Sequence, residues 1–266
     1  VLEEALGSTC IVGEETSERL VADAELLSAT VEAVRTAWPE ATAREVIRAI
    51  DRASAEPAEA FWTLDPIDGT KGFLRGGQYC VSLAYIEDGT PIVGILGCPN
   101  LSLSRCASYA ERSETGSCYA AERGAGAFAS ALDDDTWTRV EGLASAAPLR
   151  FAESFEPAHS DHAGSARLMD ALGATSADAI RVDSQCKYAL VATGRADAYV
   201  RLPRDGYIEC IWDHAAGALL ATEAGCVVTD ADGRSLDFTA GRRLERNRGI
   251  VAARPDVRAR IVDAIR

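Results

Sequence analysis

Apolar and polar positions along the chain follow two periods, and the change between them outlines the elements. Between residues 18 and 38, Leu20, Leu26, Leu27, Val31, Val34 and Trp38 fall near a 3.6-residue repeat, which predicts one helix. Val46, Ile47 and Ile50 predict a second over 43–53. A helix tail over 1–6 ends at Gly7-Ser8, and residues 10–12 read as a short strand. Residues 61–64 are expected to form a strand that stops at Asp65. Strands over 79–87 and 91–97 are joined by Asp88-Gly89-Thr90, a hairpin signal, and two short strands follow over 117–121 and 125–129. Residues 130–147 are polar and irregular, which places a boundary between an N-terminal unit, 1–140, and a C-terminal unit, 141–266. Beyond it, strands at 149–154, 179–182, 198–202, 226–229 and 249–252 alternate with helices at 162–172, 185–193, 213–224 and 255–265. The pattern predicts a mixed α+β and α/β fold, antiparallel-rich in its first half and alternating in its second.

Composition narrows the function. Over 266 residues, 47% apolar and 26% charged content is that of a globular protein with a substantial core. A net charge of −14 argues against binding a nucleic acid polymer or an anionic membrane, both of which need basic surface. No apolar run approaches the roughly 18 residues of a membrane span. The eight cysteines form no CxxC pair and sit mostly in apolar runs, so they are expected to be reduced core thiols in a reducing, cytoplasmic setting. The only methionine is Met169, so Val1 is not a translation start; residues upstream are expected, and an organellar address could have stood among them.

Three acidic clusters stand at element ends. In Asp65-Pro66-Ile67-Asp68-Gly69-Thr70, two carboxylates, the Ile67 carbonyl and the Thr70 hydroxyl are hard oxygen donors suited to Mg²⁺, although Asp, Pro and Gly also make ordinary turns. Gly13-Glu14-Glu15-Thr16 reads equally as an acidic helix start. Asp213, in Trp212-Asp213-His214-Ala215-Ala216-Gly217, reads as a helix N-cap that can also face a ligand. The second half carries cations and hydroxyls: Asp183-Ser184-Gln185-Cys186-Lys187-Tyr188 opens a helix, Arg201 ends a strand, and His159-Ser160 precedes a helix. Lys and Arg near a helix start suit phosphate, although each alone is equally a solvated surface charge. His159 and His162 lack a third soft ligand for zinc.

Together these strings resemble the lithium-sensitive, Mg²⁺-dependent phosphatase superfamily of inositol monophosphatase and fructose-1,6-bisphosphatase. Asp183-Ser184-Gln185-Cys186-Lys187-Tyr188 and Tyr207-Ile208-Glu209-Cys210-Ile211-Trp212-Asp213 resemble its 3′(2′),5′-bisphosphate nucleotidase branch. So do Ala196-Asp197-Ala198-Tyr199-Val200-Arg201-Leu202-Pro203 and Gly94-Ile95-Leu96-Gly97-Cys98-Pro99-Asn100-Leu101. The resemblance implies a layered αβαβα sandwich. It implies that Glu14, Asp65, the Ile67 carbonyl, Asp68 and Asp213 hold up to three Mg²⁺ ions, with Thr70, Asp68 and Glu14 as the catalytic groups. It further implies that Thr70, His159, Asp183, Ser184, Lys187, Tyr188, Arg201 and Asp213 bind the substrate, 3′-phosphoadenosine 5′-phosphate, which loses its 3′-phosphate to give AMP. The 5′-phosphosulfate is a further substrate in view, and the setting would be sulfur assimilation by a monomer or homodimer. In that family the Thr works with an Asp from a helical segment ahead of the Gly-Glu-Glu string; no stretch of this sequence matches that segment, which is the main departure from the family's pattern. An inositol-phosphate or other sugar-phosphate phosphatase, a non-catalytic nucleotide-binding relative and a purely structural acidic protein remain as alternatives.

Overall fold

The computed structural model describes residues 9–104, 109, 112–142, 148–155, 161–203 and 206–265. Its first sheet has seven strands in sequence order: β1 (Ile11–Gly13), β2 (Ala60–Asp68), β3 (Cys80–Glu87), β4 (Thr90–Cys98), β5 (Ser117–Glu122), β6 (Gly126–Ala131) and β7 (Thr138–Val140). Only the β1–β2 pair is parallel; the remainder is an antiparallel meander. The second sheet has five strands, β8 (Phe151–Glu153), β9 (Ile180–Arg181), β10 (Ala198–Arg201), β11 (Val227–Thr229) and β12 (Ile250–Ala253), in the order β11-β12-β10-β8-β9. It mixes parallel pairs at β10–β8 and β8–β9 with antiparallel pairs at β12.

Helices fill the space between the sheets and cover them outside. Helices α1 (Glu18–Ala22), α2 (Ala24–Val34) and α3 (Ala43–Asp51) precede β2, and α4 (Thr70–Arg75) follows it. Four more belong to the second half: α5 (His162–Ala171), α6 (Cys186–Ala192), α7 (Ala215–Glu223) and α8 (Pro255–Ile265). Every residue of α6 is buried, as is α7 from Ala215 to Ala221, because these two helices form the layer between the sheets. A helix buried all round needs no polar face. Small residues let α7 approach the first sheet: a Cβ on Gly94 of β4 would lie 2.9 Å from the Ala216 carbonyl oxygen. Phe61, Ala84, Ile86, Leu96 and Tyr119 from the first sheet share one core with Tyr188, Leu190, Leu219 and Leu220. On the far face of the second sheet, Met169 of α5 and Val257 and Ile261 of α8 pack on Phe151, Val200 and Val251. Helices α2 and α3 close a small cluster of Val31, Ala41 and Val46 beside the end of β2. The result is the layered α/β sandwich expected.

Several local expectations change. The single helix over 18–38 is two, because Asp23 is extended and its carboxylate accepts from the Glu25 and Leu26 N–H groups, 3.0 Å each, capping a new start. Strand β2 does not stop at Asp65 but reaches Asp68; Pro66 lies where the β2–β3 register shifts, so its missing N–H leaves no ladder bond unmade. Helix α4 and strand β7 were not expected, and β7 lies inside the stretch read as irregular. Asp213 is not a helix cap: it ends a 3₁₀ turn, Ile211–Asp213, and α7 begins at Ala215 behind His214 without a side-chain cap. The helix tail over 1–6, His159, Cys106 and the side chain of His162 lie outside what is described. Among the described cysteines all are free; Cys80, Cys98, Cys186 and Cys226 are buried, and Cys10, Cys118 and Cys210 half-buried. No described helix is long and apolar enough to cross a membrane.

Candidate active site

The end of β2 and the turn before α7 bring three carboxylates together. Oxygens of Asp65, Asp68 and Asp213 lie within 4.8 Å of one another. Asp65 is positioned by its strand and by the Ile67 N–H, which donates to Oδ1 at 3.0 Å. Asp68 is held from the other half of the chain, where the Gln185 N–H donates to its Oδ2 at 2.6 Å. Glu14, just beyond β1, shares a hydrogen bond with Asp65. Burial raises all four, and repulsion from neighbouring site carboxylates adds to it at Asp65 and Asp213. Asp65 is pushed up to about 10, by burial first and then by Asp68, Glu14 and Asp213. Asp68 is pushed up to about 6, its burial partly offset by Lys187 and the Gln185 N–H. Burial and Asp68 hold Asp213 well above the usual carboxylate range, and Glu14 is raised as well, again mainly by burial. Three carboxylates packed this closely, with the Ile67 carbonyl and the Thr70 hydroxyl in the same turn, offer the oxygen donors that suit a hard divalent cation. The Thr70 hydroxyl, at the first turn of α4, donates to the Ile67 carbonyl at 3.2 Å. Gly69, with φ +85°, makes the reversal between strand and helix, and a Cβ there would meet the Ser184 Cβ at 3.0 Å.

These acids form one wall of a cavity of about 290 Å³, and the second half of the chain supplies the other. Asp183, Ser184, Lys187, Tyr188 and Arg201 all line it, so the sequence motifs converge. Lys187 is buried, its Nζ 3.4 Å from the Val182 carbonyl and 5.2 Å above the Tyr199 ring. Burial lowers its pKa while Asp68 raises it, which ties the ammonium to the acidic wall. Ser184 has φ +67°, an uncommon conformation for a residue with a Cβ; its hydroxyl accepts from the Cys186 N–H at 3.2 Å. The Asp183 carboxylate is paired with Arg75 of α4. The Tyr188 hydroxyl is bound to His214 Nδ1 at 3.0 Å inside the core, rather than turned outward.

Four residues without an assigned role organise the site. Gln185, 1% exposed, donates from Nε2 to Ser82 Oγ at 2.6 Å and to the Trp212 carbonyl at 2.8 Å, and its Oε1 accepts from the Gly217 N–H at 2.8 Å. With its own N–H on Asp68, this one residue links β3, the Asp213 turn and α7 to the acidic wall. Glu209 accepts from Arg201 and from His214, each at 2.9 Å. Burial lowers the His214 pKa, and a neutral ring that donates through Nε2 to Glu209 accepts through Nδ1 from Tyr188. Arg75 is the fourth. Gln185, Glu209 and His214 stand inside strings already singled out; a charged or amide residue in an otherwise apolar run was the signal available.

The similarities to other proteins agree with this geometry. A 3'(2'),5'-bisphosphate nucleotidase of Oryza sativa is 39% identical over 227 residues, covering 83% of this chain and 63% of its own. One of Dictyostelium discoideum is 42% identical over 209 residues, covering 77% and 61%. One of Schizosaccharomyces pombe is 37% identical over 281 aligned positions, covering 99% and 79%. The chain thus spans less than two thirds of the rice and Dictyostelium relatives. Among solved structures, the extragenic suppressor protein suhB of Bartonella henselae superposes with a TM-score of 0.58 at 25% identity, covering 78% of this chain and 70% of that one. The family model for inositol monophosphatases matches residues 2–266, which takes in both sheets and every residue of the cavity. The chain therefore belongs to the inositol monophosphatase family.

Proposed function

We propose that this protein is a Mg²⁺-dependent phosphatase that removes the 3′-phosphate of 3′-phosphoadenosine 5′-phosphate to give AMP and phosphate. One observation carries the reading: three carboxylates within 4.8 Å of one another face Ser184, Lys187 and Arg201 across a single cavity. The names of the curated relatives support the choice of substrate. Glu14, Asp65, Asp68, Asp213 and the Ile67 carbonyl would hold up to three ions. When bound, Mg²⁺ supplies Lewis acidity that makes water a better nucleophile and neutralises the departing ribose oxygen.

The chain's own groups do the positioning. Thr70 is anchored through its proton to the Ile67 carbonyl, so its oxygen lone pairs are left to accept from a water aligned for in-line attack. Asp68, clamped by the Gln185 N–H, cannot swing away from the reacting phosphate. Ser184, Lys187 and Arg201 would bind the nucleotide, the two cations serving the retained 5′-phosphate, while Asp183, which lines the cavity, is paired with Arg75. By the same reading lithium competes at the acidic wall, and the 5′-phosphosulfate is a second substrate.

Phosphate release by the full-length protein tests this, with 3′-phosphoadenosine 5′-phosphate and inositol 1-phosphate offered separately and in competition. Mg²⁺-dependent release from the bisphosphate is expected, with its loss in Asp68→Asn. No release from the bisphosphate, or preferential release from the inositol phosphate, overturns the assignment.

A further inference from the structure

Arg201 is a buried guanidinium at the cavity, 8% exposed, with two carboxylates competing for it. Glu209 holds it at 2.9 Å through Nη1. Asp213 is the other: an oxygen of Asp213, an oxygen of Glu209 and a ring nitrogen of His214 lie within 4.8 Å of one another. A guanidinium that turned to Asp213 would pair with the acidic wall and withdraw from the substrate. Glu209 is itself fixed from behind. Its Oε2 also meets His214 Nε2 at 2.9 Å, and His214 Nδ1 meets the Tyr188 hydroxyl at 3.0 Å. His214 and Tyr188 are wholly buried, and the Tyr188 ring packs edge-on against Tyr199 with centroids 5.0 Å apart. On the open side Arg201 Nη2 reaches the Tyr207 hydroxyl at 3.2 Å, with the guanidinium 5.2 Å above that ring.

We infer that Glu209, braced by His214 and Tyr188, is a positioning residue that keeps Arg201 off Asp213 and aimed at the phosphate the reaction leaves in place. This rests on the proposed nucleotidase reading, since it assigns Arg201 to the 5′-phosphate. The effect of Glu209 is therefore specific to substrates that carry that second phosphate. A merely structural role would affect every substrate alike.

The test compares 3′-phosphoadenosine 5′-phosphate with adenosine 3′-phosphate, which lacks the second phosphate, at saturating Mg²⁺. Glu209→Gln is expected to raise KM for the bisphosphate about tenfold or more, the scale of one charge-assisted hydrogen bond, and to leave kcat/KM for the monophosphate within about twofold. In an Arg201→Met background the same change is expected to add nothing. His214→Gln keeps a donor toward Glu209 and is expected to retain a near-normal KM, whereas His214→Leu is expected to reproduce the Glu209→Gln defect; this pair carries the test if Glu209→Gln fails to fold. Equal losses on both substrates, or an undiminished effect in the Arg201→Met background, overturn the inference alone. A wild-type protein that hydrolyses neither nucleotide overturns the nucleotidase reading and the inference with it.

Discussion

Replacing Asp65 with Asn isolates the energy stored in the acidic wall. Asp65 is 2% exposed, and its neighbours Asp68 and Asp213 place carboxylate oxygens within 4.8 Å. Two unit charges at that distance repel by about 3.5 kcal/mol at an effective dielectric near 20. Asp65 answers by keeping its proton, with a folded-state pKa pushed up to about 10 against an ordinary 3.8, chiefly by burial and then by Asp68. A carboxyl whose folded pKa is raised contributes its full stability only below the ordinary value, and loses it as pH climbs toward the folded one. Between pH 5 and pH 8 the chelated protein should therefore lose about 4 kcal/mol through this group, three units at about 1.36 kcal/mol each. Asn is nearly isosteric, keeps the Oδ1 acceptor for the Ile67 N–H, and has no proton to retain. Urea unfolding in excess chelator should then show Asp65→Asn more stable than wild type by several kcal/mol at pH 8, with the advantage shrinking by about 4 kcal/mol at pH 5. Phosphatase activity should be lost in the same variant. A variant less stable than wild type at pH 8, or an advantage independent of pH, would refute the account of a carboxyl held protonated by burial and its acidic neighbours.

Three further perturbations probe the scaffold around the site. Gln185→Leu leaves the buried Gly217 N–H without its partner and the Trp212 carbonyl with only the Ser82 hydroxyl at 3.3 Å, and should cost about 1–3 kcal/mol, read as a fall in Tm, with a higher Mg²⁺ concentration for half-maximal activity; an unchanged Tm would sink it. Gly217→Ala puts a Cβ 2.3 Å from the Tyr188 ring and 2.9 Å from Gln185 Oε1, so the usual helical gain from Ala should turn into a loss of about 1–3 kcal/mol by chemical denaturation. Arg195, 2% exposed, donates to the Tyr119 hydroxyl at 2.6 Å and to Thr193 Oγ1 at 2.9 Å, so Tyr119→Phe should destabilise by about 1–3 kcal/mol while KM stays unchanged.

What the sequence made legible was local. Asp65-Pro66-Ile67-Asp68-Gly69-Thr70 announces its chemistry because strand end, turn and donors are contiguous, and the buried runs of β3 and β4 announce the meander. Helix α2 was mistaken at both ends, since apolar spacing continues across Asp23, where the carboxylate cap interrupts the backbone, and on to Trp38, although the helix stops at Val34. Strand β7 escaped because Thr138 and Arg139 are exposed and Val140 alone is buried, too short a pattern to register. Helix α4 spans six residues, with a glycine at its third position. In the site, the missed contacts join distant residues: Arg75 with Asp183, Gln185 with Ser82, and Glu209 with Arg201. Each partner taken singly is an ordinary polar residue, and only the packing of α6 and α7 between two sheets makes it a constraint.

That packing also reconciles an acidic chain with the anionic substrate proposed for it. The net charge of −14 belongs to the chain as a whole, and at physiological ionic strength charges farther apart than about 8 Å are largely screened. What a phosphate meets is the cavity, and there the acidic cluster and the cations face one another. The first sheet and the turn before α7 contribute acids that repel one another and await a cation. The second half contributes Lys187 and Arg201, buried where screening is weak. Each of these cations is restrained by an acid of its own: Lys187 lies in the field of Asp68, and Arg201 is paired with Glu209. That arrangement requires that both halves be held in register to within a hydrogen bond. The Gln185 backbone on Asp68 and its side chain on Trp212 and Gly217 supply that register, so a residue with no chemistry of its own sets the geometry in which the chemistry occurs.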